Sequence, residues 1–193
     1  MRCQSRDEFF EKLIPKNSIC AEIGVCDGIN AQRIWNITKP QFLYLIDPWE
    51  TLENWWGTEH SNAEFTPARR EAYHDSYLKT CEFFNDKDNV QIIKKHSTEA
   101  SEDFDNFYFD WVYIDGDHRY KYVLDDLLYW DSKIKKNGFI IGHDWSHDSV
   151  QKAVKEFIQK KGYELKYTAS LTHSFQSKML GIDGHSEYLI QIK

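Results

Sequence analysis

The chain has 193 residues, of which 31 are acidic and 24 are Lys or Arg, giving a formal net charge of −7. That length sets one domain, large enough to bury about 70% of the surface its unfolded form exposes without a metal or disulfide staple. The acidic balance excludes nucleic acid as a partner on this reading, and 41% hydrophobic with 28% charged residues excludes disorder.

Aromatic residues reach 16%, and some of those rings are expected to line a pocket. Cys3, Cys20, Cys26 and Cys81 show no CxxC spacing, so free thiols in a reducing cytoplasm are expected. The opening MRCQSRDEFFEKL carries acids where a signal peptide is apolar. No apolar run approaches the ~20 residues of a membrane span, so no membrane partner is expected.

Short apolar runs at Ser18–Ile23, Phe42–Ile46, Val90–Ile93, Trp111–Ile114 and Phe139–Ile141 read as strands buried on both faces of a parallel sheet. Between them lie helical patterns. Ile29–Ile37 has Asn30 as its expected cap. Thr66–Phe84 starts on Thr-Pro. Tyr120–Ile134 and Val150–Lys161 space their apolar residues for a core. Tyr163–Thr168 and Glu187–Ile192 alternate and read as a closing antiparallel pair. The fold class is therefore α/β: a doubly wound, Rossmann-like sheet, mostly parallel with an antiparallel C-terminal strand pair.

Ligands of such sheets bind outside the carboxyl ends of the strands. The first strand runs into Glu22-Ile-Gly24-Val-Cys-Asp-Gly28. Its GxxxG spacing is looser than the GxGxxG of a dinucleotide site. Glu22 is placed to hold a cationic amine. Asp47, about 20 residues after the loop, suits a pair of ribose hydroxyls. Ser97 or Thr98 is expected to cap a helix, and the same position faces the adenine edge if a nucleoside is bound. The fourth and fifth strands end Asp115-Gly-Asp117-His118 and Gly142-His143-Asp144-Trp145. Asp115, His143 and Asp144 could hold a divalent cation, or serve as helix caps and a hydrogen-bonded core histidine.

As a set in this order, these segments resemble the class I S-adenosylmethionine-dependent methyltransferases, most closely the macrocin and catechol O-methyltransferase group. The resemblance covers about residues 18–160 and implies a seven-stranded sheet. It also implies that Glu22 and the Gly24–Gly28 loop hold the methionine part of S-adenosyl-L-methionine. Asp47 would bind the ribose, Ser97 would lie beside the adenine, and Asp115 would border the cofactor. Asp115, His143 and Asp144 occupy the metal positions of members using Mg²⁺ or a similar ion, which carry aspartate where this chain has His143. Asp117 is the first candidate base and His118 the second. The implied function is O-methylation of a small hydroxylated acceptor, sugar or phenol-like. Residues 50–84, with Trp55, Trp56, His60, Phe65, Arg69, Arg70, Tyr73 and Tyr77, are expected to form an acceptor lid, and the loop 173–185 another wall. Self-association is left open. A metal-dependent phosphoesterase using Asp115, Asp117, His118, His143, Asp144 and His147 is the main alternative, and a non-catalytic nucleoside-binding module is another. The glycine spacing disfavours an NAD-dependent dehydrogenase.

Overall fold

The computed structural model describes residues 3–50, 67–169 and 186–193. In chain order the elements are α1 (Arg6–Leu13), β1 (Ile19–Ile23), α2 (Ile29–Thr38), β2 (Phe42–Ile46), α3 (Pro67–Phe84), β3 (Val90–Ile93) and α4 (Ser97–Ser101). They continue with β4 (Phe109–Ile114), α5 (Tyr120–Asp131), β5 (Ile134–Gly142), α6 (Asp148–Lys161), β6 (Glu164–Thr168) and β7 (Tyr188–Gln191). One seven-stranded sheet runs β3-β2-β1-β4-β5-β7-β6. β1 to β5 pair in parallel, and β7 pairs antiparallel with both β5 and β6. The doubly wound sheet and its antiparallel closing pair are as the sequence predicts.

The order places β1 between β2 and β4. The chain leaves β1 towards β2 and β3, then returns to its other side as β4 and β5. The carboxyl ends of β1 and β4 thus flank the crevice where such sheets bind ligands.

Central strands are apolar on both faces because each face carries helices. Along β4, Trp111 and Tyr113 join Phe9, Phe10, Ile34 and Leu43 in one core layer. Val112 and Ile114 join Val123, Leu127, Trp130 and Phe157 in the other. Many rings expected to line a pocket are therefore packing, each contributing about 2–3 kcal/mol by burial. β3 is only half-buried, unlike the fully buried strand expected, because it is the sheet edge.

Three local readings change. α1 was not predicted, although Ser5 and Glu8 mark its start. Ser5 Oγ accepts from Glu8 N at 3.1 Å, and Glu8 reaches back to Gln4 N. α5 ends at Asp131, and Ile134 opens β5 by pairing with Phe109, with an irregularity in register before Trp111. α2 is capped by Gly28 in the left-handed region (φ 75°), not by Asn30, whose side chain is used elsewhere. No helix among the described residues is long and apolar enough to cross a membrane.

Candidate functional site

A cleft of about 540 Å³ opens at the carboxyl ends of β1, β2 and β4, between Gly24, Asp47, Ser97, Asp117 and Asp126. Gly24 sits at the switch point with φ 84°. A Cβ there would lie 2.3 Å from the Asp115 carbonyl oxygen and 2.7 Å from Gly116 Cα. The β1 loop thus rests directly on the β4 loop, and only glycine allows both the conformation and the approach.

Asp47, at the end of β2, holds that loop from the other side. Its Oδ2 accepts from Val25 N at 2.9 Å and Cys26 N at 3.0 Å, and its Oδ1 accepts from Trp49 N at 2.6 Å. Oδ2 thus has both lone pairs engaged, while Oδ1, with one donor, keeps capacity for a further one.

Glu22 is completely buried. Asn30 Nδ2 donates to its Oε1 at 2.8 Å, while Oε2 has no partner. Burial pushes its pKa up to about 8, Asn30 opposing and Asp115 adding. Asn30 is oriented in turn by Arg6, whose Nη1 donates to Asn30 Oδ1 at 3.3 Å. A buried carboxyl with an orphaned oxygen is the arrangement an ammonium group would complete.

At the other end of the cleft, Ser97 does not cap α4. That cap is His96, with no side-chain bond. Ser97 Oγ accepts from Trp130 Nε1 at 2.9 Å and hydrogen-bonds the Asp126 carboxylate. Asp126 is 7% exposed, and that exposure faces the cleft. Burial pushes its pKa up to about 7, with Ser97 opposing and Asp125 and Asp117 adding.

Beside the cleft, β4 and β5 bring Asp115, His143 and Asp144 together, with donor atoms within 4.8 Å of one another. His143 Nδ1 lies 3.4 Å from Asp115 Oδ1 and 3.1 Å from Asp144 Oδ1. Such spacings are close to the ~3 Å ligand–ligand edge of an octahedral site with ~2.1 Å bonds, so the donors fit a small divalent cation. They are also paired among themselves. Asp144 Oδ2 meets His118 Nδ1 at 2.8 Å, and Arg6 Nη2 lies against His143 Nε2. Arg6 Nε also pairs with the fully buried Glu187 at 2.7 Å. Burial works against the charged form of His143, but Asp115 and Asp144 outweigh it and raise its pKa. Burial would raise Asp144, yet His118 and His143 hold it well below the usual carboxylate range. Asp115 and Asp144 cap no helix: the caps of α5 and α6 are Arg119 and His147.

The two candidate bases differ in setting. Asp117 is clamped by Arg119, which bonds both carboxylate oxygens through Nε at 3.0 and 2.9 Å, and it accepts from Arg119 N at 2.9 Å. His118 is 40% exposed, and its pKa is raised chiefly by the bond to Asp144.

A family model described as a methyltransferase domain matches residues 21–145, well over half of the chain and the stretch from β1 to just past β5. The chain belongs to this family. It is an S-adenosylmethionine-dependent methyltransferase. No curated protein sequence matches it. Solved structures with the same fold include an Aeropyrum pernix fibrillarin in complex with natively bound S-adenosyl-L-methionine (13% identity, TM-score 0.59, 91% of this chain and 67% of that one). Others are the B. subtilis tRNA methyltransferase TrmK (11%, 0.63, 100% and 67%) and a precorrin-6y C5,15-methyltransferase from Geobacter metallireducens (16%, 0.60, 95% and 85%). At these identities the likeness is one of fold.

One expectation is overturned. The net charge of −7 excluded nucleic acid as a partner of this methyltransferase. The same fold serves a tRNA methyltransferase, so that exclusion does not hold. Bulk charge reports on non-specific phosphate attraction and does not decide what one cleft accepts.

Sequence reasoning missed Arg6, Asn30, Asp126 and Glu187, the partners of the predicted residues His143, Glu22 and Ser97. Asn30 reads as a cap because asparagine is a favoured N-cap residue and opens the helical pattern. Asp126 lay hidden in the apolar spacing of its helix, where a lone acid at a core position was the available signal. The lid residues Trp55, Trp56, His60 and Phe65 and the loop 173–185 lie outside the described residues, as does the side chain of Arg69.

Proposed function

We propose that this methyltransferase transfers a methyl group to an oxygen of a small hydroxylated acceptor, sugar or phenol-like, as in the macrocin and catechol group. The observation that carries the reading is the His118–Asp144 pair at the edge of the cofactor cleft. Asp144 holds Nδ1 at 2.8 Å, which leaves Nε2 of a half-exposed imidazole for an acceptor hydroxyl. Asp117, neutralised by Arg119, serves to hold the β4–α5 loop.

S-adenosyl-L-methionine supplies a methyl already activated on a sulfonium. Glu22 would take its ammonium, the Gly24–Gly28 loop its methionine chain, Asp47 its ribose, and the Ser97 region its adenine, with Asp115 bordering the loop. His118 Nε2 would take the proton that the acceptor hydroxyl gives up as its oxygen gains the methyl group, S-adenosylhomocysteine being the other product. Alignment is the larger part of the catalysis. Asp115, His143 and Asp144 would hold a divalent ion such as Mg²⁺, whose chemistry is to lower the pKa of a bound hydroxyl. A one-domain organisation, with residues 50–84 contributing acceptor contacts, and a cytoplasmic location supported by unbonded thiols complete the reading.

The test is release of S-adenosylhomocysteine against a panel of catechols, glycosides, amines and RNA. Turnover confined to amine or RNA acceptors would overturn the O-directed, small-acceptor reading. His118→Ala is expected to lower kcat about 10²-fold or more while leaving cofactor affinity within about twofold. Unchanged kcat would remove His118 from the role. Chelator-treated protein is expected to lose most activity and regain it with Mg²⁺. Full activity in chelator, with no metal by elemental analysis, would discard the metal.

A further inference from the structure

Asp126 is the buried acid that the reaction does not use. It comes from α5, beyond the strand-end motifs. A carboxyl on a core-facing position of a helix carries a desolvation cost unless something completes its hydrogen bonds. Ser97 does part of this. Its hydroxyl accepts from Trp130 Nε1 at 2.9 Å, so its single proton is free to go to Asp126, with which it is bonded. That arrangement has two consequences. The Ser97 hydroxyl has no proton left for a ligand, and the Asp126 carboxyl is fixed in one orientation by a residue that is itself fixed.

What remains of Asp126 borders the cleft, beside the Ser97 to which it is bonded, and Asp47 and His96 line the same cleft. Placing a ribose on Asp47 sends the attached base towards this end. The cleft volume of about 540 Å³ accommodates a nucleoside. The apolar walls offered by Ile23, Ile46 and Pro48 suit a planar ring. Adenine presents a donating 6-amino group beside a ring-nitrogen acceptor, on either edge. A carboxyl matches that pattern: one oxygen accepts from the amino group, and in the protonated form the other donates to the ring nitrogen. Burial keeps a protonated fraction of Asp126 near neutrality.

We propose that Asp126, oriented by Ser97 and Trp130, is the group that reads the 6-amino edge of the cofactor's adenine and sets selection for adenine over other purines. The assignment rests on the cofactor reading above, with the ribose on Asp47. It replaces Ser97 as the direct base contact and makes Ser97 a positioning residue.

The test compares calorimetric affinities for S-adenosylhomocysteine and for its 6-deamino analogue, which keeps the ring nitrogens and lacks only the amino group. The parent protein is expected to prefer the adenine compound about tenfold or more, because the analogue leaves a buried carboxyl unpaired. Asp126→Ala is expected to bring the ratio to about one. Asp126→Asn retains an oxygen that can accept from the amino group and is expected to restore the preference. A merely structural role would lower both affinities together and leave the ratio intact, and that result would overturn the proposal. Should the alanine variant fail to fold, the parent and Asp126→Asn still decide: a parent protein indifferent to the amino group refutes the assignment. Asp47→Asn separates the two layers. If it weakens both ligands equally, the cofactor reading stands whatever Asp126 does. If it affects neither, the cofactor reading itself has failed.

Discussion

Replacing Glu22 with glutamine is expected to weaken S-adenosylhomocysteine binding about 30-fold or more and to abolish the proton released on binding. The side chain is fully buried with one oxygen unpartnered, and its pKa lies near 8 against an ordinary 4.5. At pH 7 the free protein therefore keeps this carboxyl mostly protonated. An ammonium group set against Oε2 favours the ionised form, so binding expels close to one proton. Titration calorimetry at pH 7 in phosphate and in Tris reads this directly, because the apparent enthalpy then differs by the buffers' ionisation enthalpies. Equal enthalpies in the two buffers would remove Glu22 from the ammonium site. The stability of the free protein moves in a defined direction too. Below about pH 4.5 the group is protonated whether the chain is folded or not, and burial costs no charge. Between about 4.5 and 8 the unfolded chain ionises while the folded one holds its proton, so stability falls as pH rises, by at most about 5 kcal/mol. Glu22→Gln lacks that slope. It should match the parent in urea unfolding at pH 4.5 and exceed it at pH 8.5, and parallel profiles would contradict the argument.

Gly24→Ala should be the most damaging single methyl group that the described cleft can receive. The added carbon would sit 2.3 Å from the Asp115 carbonyl oxygen and 2.6 Å from its carbonyl carbon, both backbone atoms. No rotamer relieves that contact. The residue also occupies φ 84°, which costs an alanine about 1–2 kcal/mol by itself. With overpacking of about 1–3 kcal/mol, the expected loss is about 2–5 kcal/mol. The β1 loop must lift away from β4, and Asp47 then loses the Val25 and Cys26 amides it now holds. Cofactor affinity should fall at least about 10²-fold. A variant with a parental unfolding midpoint and parental affinity would show that the two loops are not in contact.

The strand ends were legible because parallel strands buried on both faces leave continuous apolar runs, and the chemistry sits where those runs stop. Glu22, Asp47, Asp115 and His143 could be placed from that alone. Side-chain partners were not legible in the same way. Asn30 looks like a cap in sequence, but the helix starts on Gly28 and releases it to bond Glu22. Ser97 looks like a cap, but the cap is His96 and the Ser97 hydroxyl is shared between Trp130 and Asp126. Asp117 looks like a free base, yet two residues later comes Arg119. In each case the deciding partner lies on another element, or in a loop bend, that no periodicity encodes. The exclusion of nucleic acid failed for a different reason: net charge averages over a surface, whereas a cleft samples a few groups.

The ion pair between Arg6 and Glu187 joins the helix before β1 to the entry of β7. During synthesis the cofactor-binding strands emerge well before residue 187 does. A nascent chain can therefore assemble the central sheet while Arg6 still lacks its carboxylate and the groups it orients, Asn30 and His143, remain unset. Competence to bind a cofactor should then trail compaction in refolding, as a slower phase than the one reported by tryptophan burial, because this long-range closure is the last step rather than the first.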